Sequence, residues 1–348
     1  TLSVLPDWCR STGPCGIFPG VCVKPDGTLA MLMVAGSAFE SADQRLAAWT
    51  GEPDGLNWQR QSVLPEIISG GVCFSAAAKP AALSDGTLVA LGYGFERTDP
   101  AETLSGHAEK YGGFPPVRNA VWFSHDGGRS YSAPHWLAHR DGGIEFSGPA
   151  LVLRDGRLLG FGAPFHLAAE AQCGLCFESR DGGRNWREKS TFFTGGAIAP
   201  WECRGLELPD GRIAVAFWAF DLAAQKHLTN RIAVSADGGT SWQVMDTKLA
   251  GQAANLIDCG WPDGTVGLLQ ARREEAYDKP GQRPAEERDE EHPFHPRRAA
   301  APADGGVGIG DNGAEGREAR ADGGGDEPAA RARGPGGLNS HSRCRQCR

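Results

Sequence analysis

Ser179-Arg180-Asp181-Gly182-Gly183-Arg184-Asn185-Trp186 is the stretch that decides the fold. Near-copies run from Ser124 to Tyr131 and from Ser235 to Trp242, and all three read Ser-x-Asp-Gly-Gly-x-[Ser/Asn]-aromatic. Their first residues, 124, 179 and 235, lie 55 and then 56 apart. A fixed period of that size is the signature of a repeat architecture. The octad has the chemistry of a rigid turn. Its Ser and Asp oxygens accept from backbone N–H groups, Gly-Gly supplies positive φ, and the aromatic plugs the turn onto neighbouring strands. Its Asp residues therefore read as structural.

A second repeat interleaves with the first: an apolar run, an Asp-Gly turn and another apolar run. It occurs at Asp26-Gly27, Asp85-Gly86, Asp155-Gly156, Asp210-Gly211 and Asp263-Gly264. Asp-Gly between β-rich runs marks a hairpin. Each unit then reads strand, Asp-Gly hairpin, strand, loop, strand, octad turn, strand. Four antiparallel strands in about 55 residues make one propeller blade. The first unit, Ile17 to Leu64, ends in a degenerate octad, Thr50 to Trp58, one residue too long. The second, Val72 to His139, carries a Gly- and Pro-rich insertion at Thr98 to Pro116, where no helical periodicity competes. Units three and four are regular, and a fifth starts near Ala253 and yields two strands, to about Leu269.

The expected organisation is an all-β propeller over residues 1–270 and a low-complexity tail over 271–348. After Tyr277 the large apolar residues reduce to Phe294, Val307, Ile309 and Leu338, too few to offset the entropy of folding, so disorder is expected there. Many Arg beside a single Lys279, with the repeat lost in mid-blade, read as a GC-rich gene translated out of frame or as a natural low-complexity tail. The 348 residues carry a net charge of −8, which provides no basic footprint for nucleic acid. No apolar run reaches the roughly 20 residues of a membrane span, and the compartment stays open. Ten Cys include two Cys-x-x-Cys pairs, neither with a second pair or His at zinc spacing. Cys173 and Cys176 lie in an expected strand, where an odd offset points them to opposite faces as free thiols. No metal or organic cofactor is expected.

With both repeats in view, the chain from Cys15 to about Gln270 resembles the sialidase (neuraminidase) superfamily, whose propellers carry these octads as Asp boxes. The resemblance implies a propeller that is six-bladed in the family, of which about four and a half blades are visible here. It also implies a glycan substrate and glycoside hydrolysis through a Tyr nucleophile with a partnering Glu, an acid/base Asp and three Arg that grip a sugar carboxylate. Glu202, in Pro200-Trp201-Glu202 ahead of Leu208-Pro209-Asp210-Gly211-Arg212, matches the family's Glu; Asp43, in the loop after the second strand, matches its acid/base Asp. Ile17 and Trp218 stand where two of the Arg belong, and residues of that kind suit a neutral sugar face. The late blades that would hold the third Arg and the Tyr are not recognisable.

Glu202 and Asp43 are thus the catalytic candidates. Glu145, ahead of the third inner strand, is a second funnel carboxylate. Trp201 and Trp218 are candidate sugar-stacking groups or blade packing. Arg118 and Arg231 start third strands, as funnel cations or as ordinary strand-end ion pairs, and Glu202 itself reads alternatively as a rim carboxylate paired with Arg204. Asp43 reads alternatively as a solvated loop residue near Arg45. The His residues show no ligand spacing. Three functions remain open: an exo-glycosidase, a non-catalytic glycan- or protein-binding propeller, and an inactive product whose ring does not close.

Overall fold

The octads fold alike, and their hydrogen bonds explain the sequence pattern. In the computed structural model, which describes residues 15–65, 67–69, 72–138, 143–260 and 263–271, the Ser179 hydroxyl donates to Asp181 at 2.9 Å and accepts from the Gly183 N–H at 2.9 Å. Asp181 accepts from the backbone N–H of Asn185 at 2.9 Å and from its side-chain amide at 2.6 Å. Ser124, Asp126, Gly128 and Ser130 repeat the set, as do Ser235, Asp237, Gly239 and Ser241. The paired glycines take φ of 74° and 89°, 71° and 89°, and 69° and 88°, a left-handed pair that a side chain resists. Desolvation opposes ionisation of Asp126, yet donors from Ser130, Ser124 and Arg129 hold it down to about 2. The Asp-Gly turns are three-residue hairpins in which the N–H of Gly27, Gly86, Gly156 and Gly211 returns to the carbonyl three residues earlier.

These turns join four antiparallel blades. The first is Cys15–Val23, Leu29–Gly36, Arg45–Gly51 and Trp58–Val63. The second is Val72–Ala82, Leu88–Arg97, Val117–Ser124 and His135–Trp136, with Ile67–Ser69 paired to its inner strand. In the third, the inner strand is interrupted into Ile144–Glu145 and Leu151–Val152, followed by Leu158–Pro164, Gln172–Ser179 and Arg187–Gly196. The fourth is Ile198–Glu207, Ile213–Asp221, Thr229–Ser235 and Gln243–Ala250. Gln252–Asp258 pairs with Val266–Ala271 as the half blade that was expected. Residues 272–348, the expected tail, lie outside the described residues.

The core sits between blades, because strand alternation sends successive side chains to opposite neighbours. Leu32, Val34, Phe74 and Trp122 fill the first interface, Leu91, Phe146 and Phe177 the second, and Phe161, Phe192 and Phe217 the third. Each such fully buried side chain contributes roughly 1.5–3 kcal/mol. Cys176 joins the third interface while Cys173 packs against the second, the opposite facing expected, and neither is in a disulfide. Among the described residues no helix is long and apolar enough to cross a membrane, and no cluster of His, Cys, Asp and Glu is arranged for a metal ion.

The insertion departs from the expected irregular loop. It forms a helix, Leu104–Tyr111, capped by Thr103, whose hydroxyl accepts from the Gly106 N–H, and closed by left-handed Gly112. Periodicity is silent over two turns in which Leu104 alone is buried; the caps are the legible signal. The helix is docked by blade one: the Glu40 carboxylate accepts from the Ser105 N–H at 2.9 Å, and buried Arg97 donates to the Glu40 carbonyl at 3.1 Å. Up-and-down connectivity puts the hairpins and octads at one end of every blade. The loops Gly36 to Gln44 and Thr98 to Pro116, and the starts of the inner strands, lie at the other end.

Candidate functional site

Three inner strands deliver the chemistry to that second end. Glu145 ends the short first segment of the third inner strand. Glu202 lies in the fourth, at a β-bulge: Trp201 pairs with Trp218 and Arg204 with Ala216, so three steps on one strand match two on the other. At the bulge Glu202 adopts φ 50°, a left-handed conformation that costs a non-glycine residue of order 1–3 kcal/mol. Its backbone N–H donates to the Glu145 carboxylate, which links the two acids across the blade interface.

Burial first, and the nearby Glu202 carboxylate second, push the Glu145 carboxyl up to about 8 against the pull of Arg204 and Lys79. Arg204 Nη1 donates to Ser147 Oγ at 3.0 Å and to the Cys203 carbonyl at 3.1 Å, and Nη2 lies 3.7 Å from Glu202 Oε2. The close approach depends on Gly148, where a Cβ would lie 2.5 Å from the Cys203 carbonyl oxygen. The inner strand of blade two adds Lys79, lowered to about 7 by desolvation and by Arg204 against Glu202 and Glu145. Burial raises the Tyr93 hydroxyl, keeping it a neutral donor, and raises the neighbouring Cys203 thiol, keeping it inert.

Of the residues singled out in the sequence, the structure brings Glu145 and Glu202 together and pairs Glu202 with Arg204. Asp43 sits in the blade-one loop, where it accepts from the Ser37 N–H at 3.1 Å and from the Ser41 hydroxyl at 2.5 Å, bonds that lower its pKa. Trp201 stacks on Phe220 at 4.6 Å and meets Trp218 edge-on at 5.0 Å. Trp218 is buried and donates to His227 Nδ1 at 3.1 Å. Ile17, at the other expected Arg position, packs against the core of the first interface. Arg118 lies over Trp136 at 4.2 Å and donates to Ser69 Oγ, and Arg231 lies over Phe193 at 5.3 Å, so both serve blade flanks. Lys79 and Tyr93 were missed. The signal for Lys79 was legible: one charge inside the run Ser75-Ala76-Ala77-Ala78-Lys79-Pro80-Ala81-Ala82.

No protein-family model and no curated protein matches the sequence. Solved structures do match its fold. A Dyadobacter fermentans protein of unknown function superposes with a TM-score of 0.58 at 19% identity, over 73% of this chain and 74% of that one. A Hadza microbial sialidase gives 0.56 at 14% identity over 75% of this chain, which spans about half of it, 53%. The Penicillium chrysogenum α-L-arabinanase complexed with arabinobiose gives 0.55 at 15% identity, over 74% and 75%. Four blades in chain order and these neighbours agree: the chain has the sialidase-like β-propeller fold.

Proposed function

We propose that the chain is a glycan-acting exo-glycosidase of the sialidase superfamily whose octads are its Asp boxes and whose acids are Glu145 and Glu202. The observation that carries this is the adjacency of the two carboxyl groups at the inner-strand mouth, with Glu145 held protonated at neutral pH. A protonated carboxyl beside an ion-paired carboxylate is the division of labour that glycoside hydrolysis requires. Glu145 protonates the leaving-group oxygen as the glycosidic bond breaks, and the carboxylate so formed takes back a proton from the water that bonds to the anomeric carbon. Glu202, steadied by Arg204, stabilises the oxocarbenium-like centre on the other side of the bond. Asp43 belongs to this reading as a rim residue on a loop joined to the Leu104–Tyr111 helix through Glu40. Trp201 lines the approach and Trp218 backs it.

A second reading, a glycan-binding propeller without turnover, draws on one observation: Asp43 already spends its oxygens on Ser37 and Ser41. A panel of fluorogenic glycosides separates the two. Turnover by the folded wild type, reduced at least about a thousandfold in Glu202→Gln with unchanged unfolding, supports the enzyme. Silence of the folded wild type across the whole panel rejects it in favour of the binding module.

A further inference from the structure

The half blade is two strands short of the other blades, and blade four shows where the missing pair belongs. Gln252–Asp258 lies against the two inner strands of blade four, Ile198–Glu207 and Ile213–Asp221. Alternation then assigns the faces. Ala233 and its cross-strand partner Val244 point into the third interface, so the adjacent pair, Ile232 and Met245, points to the side of the half blade. On that side Ala214 and Ala216 of an inner strand are buried, whereas Met245 on the outermost strand is 48% exposed. The half blade has the converse face. Ala254 is buried toward blade four, while Ile257 and Leu269, which share the opposite face, are 41% and 62% exposed. The neighbouring sequence does not make up the shortfall. Residues 272–348 hold Tyr277, Phe294, Val307, Ile309 and Leu338 as their large apolar side chains, with no alternating run of strand length. Leu2, Val4, Leu5 and Trp8, ahead of Cys15, amount to one strand at most.

We propose that a second copy of this chain supplies the missing strands: the half blades of two copies join edge to edge through Val266–Ala271 into one shared four-stranded blade. The symmetry axis is a two-fold that runs along the strands in the plane of the sheet. The two Val266–Ala271 strands then pair in parallel, and the two half blades present opposite faces. Blade four of each copy covers its own half blade with its inner strands and the other copy's half blade with its outer strands. Ile232 and Met245 thereby meet Ile257 and Leu269 of the other copy, and each exposed apolar group of one side is matched by the other. The antiparallel alternative puts both fourth blades on one face of a sheet no wider than either, where they collide. A contact made by the same patch on both copies closes on itself and does not propagate. It also buries the free edge of a two-stranded sheet, which is marginal when left alone.

Sedimentation equilibrium of the full chain, over concentrations from about 1 to 100 μM, tests this. A closed dimer of twice the chain mass is expected. Leu269→Glu and Met245→Glu alter side chains that are exposed in the single copy, so each leaves its unfolding unchanged. Each should weaken the dimer at least about tenfold. Val23→Glu, at an exposed position on blade one, should leave the dimer as it is. A monomer at every concentration would mean that the chain covers these faces by itself, and would overturn the proposal. So would a dimer indifferent to both Leu269→Glu and Met245→Glu, a dimer broken by Val23→Glu, or association that continues past two copies. Mass is read rather than turnover, so the result is independent of whether the glycosidase reading holds.

Discussion

Replacing Glu145 by Gln should stabilise the protein above neutral pH, because the wild type carries an acid its fold prefers uncharged. The Glu145 carboxyl is raised from its ordinary 4.5 to about 8. Between those values the folded chain keeps a proton that the unfolded chain has released. Wild-type stability therefore falls as pH rises through that window. The gap from 4.5 to 8 corresponds to about 5 kcal/mol as a ceiling. Glu145 is only partly buried and is coupled to charges on two other blades, so about 2–3 kcal/mol is the expected effect. Lys79 acts with the opposite sign: lowered from 10.5 to about 7, it contributes stability that recovers between pH 7 and pH 10.5. The wild-type urea midpoint should thus decline from pH 5 to pH 7, level off to pH 8 and recover beyond it. Gln keeps an acceptor for the Glu202 N–H, so Glu145→Gln should be level to pH 7 and rise beyond it. Tryptophan fluorescence in urea at pH 5, 6, 7, 8 and 9 reads both curves. Parallel curves for wild type and variant from pH 5 to pH 8 would refute the reasoning.

Glu178→Gln should do the reverse and destabilise at pH 7 by about 3 kcal/mol, measured by urea unfolding. Its buried carboxylate accepts from Arg157 at 2.9 Å, Arg180 at 2.9 Å, Arg187 and Lys189 at 3.1 Å, and Gln leaves those cations without a counter-charge; a loss below about 1 kcal/mol would show that they all turn out to water. Gly148→Ala should cost about 1–3 kcal/mol by thermal unfolding, because its Cβ meets backbone at Cys203, which cannot swing aside as a side chain would. An unchanged melting temperature would mean that the third and fourth blades separate freely there.

The blades were legible because their signals are local. Ser, Asp and Gly-Gly within eight residues specify a turn whatever surrounds it, and the hydrogen bonds at Ser179 and Asp181 satisfy each expected donor and acceptor. The mouth was legible only in part because its parts lie on different blades. Glu202 could be named from its motif at the opening of an inner strand and Glu145 from its place ahead of one, but their link needs the bulge that turns the Glu202 N–H toward Glu145. Arg118 and Arg231 show the limit most plainly. Each stands at the start of a third strand, yet Trp136 and Phe193 offer an aromatic face within 4.2 and 5.3 Å, and a guanidinium settles there. Lys79 is the complementary case, since an isolated charge in an alanine-rich strand has no local partner and only the assembled blades show what it faces.

The bulge itself separates architecture from chemistry. Ile17 pairs with Val34 and Gly20 with Leu32, so blade one carries the same three-against-two irregularity as blade four, with Phe18 at φ 52° where Glu202 has φ 50°. Phe18 shows that the left-handed residue goes with the bulge and not with a carboxylate, and the inner strand of blade two, whose register is unbroken, has neither. The strain is therefore met by the fold, and Glu202 uses a position that already projects toward the mouth. By the same correspondence Gly20 stands where blade four has Arg204. Blade one thus supplies no cation; the absence of a side chain at Gly20 instead makes room for the Lys79 stem from blade two. Lys79, paired with Leu91, stands on blade two where Arg204, paired with Ala216, stands on blade four, so the repeat places a cation at the same inner-strand position of both blades and a glycine at that position of blade one.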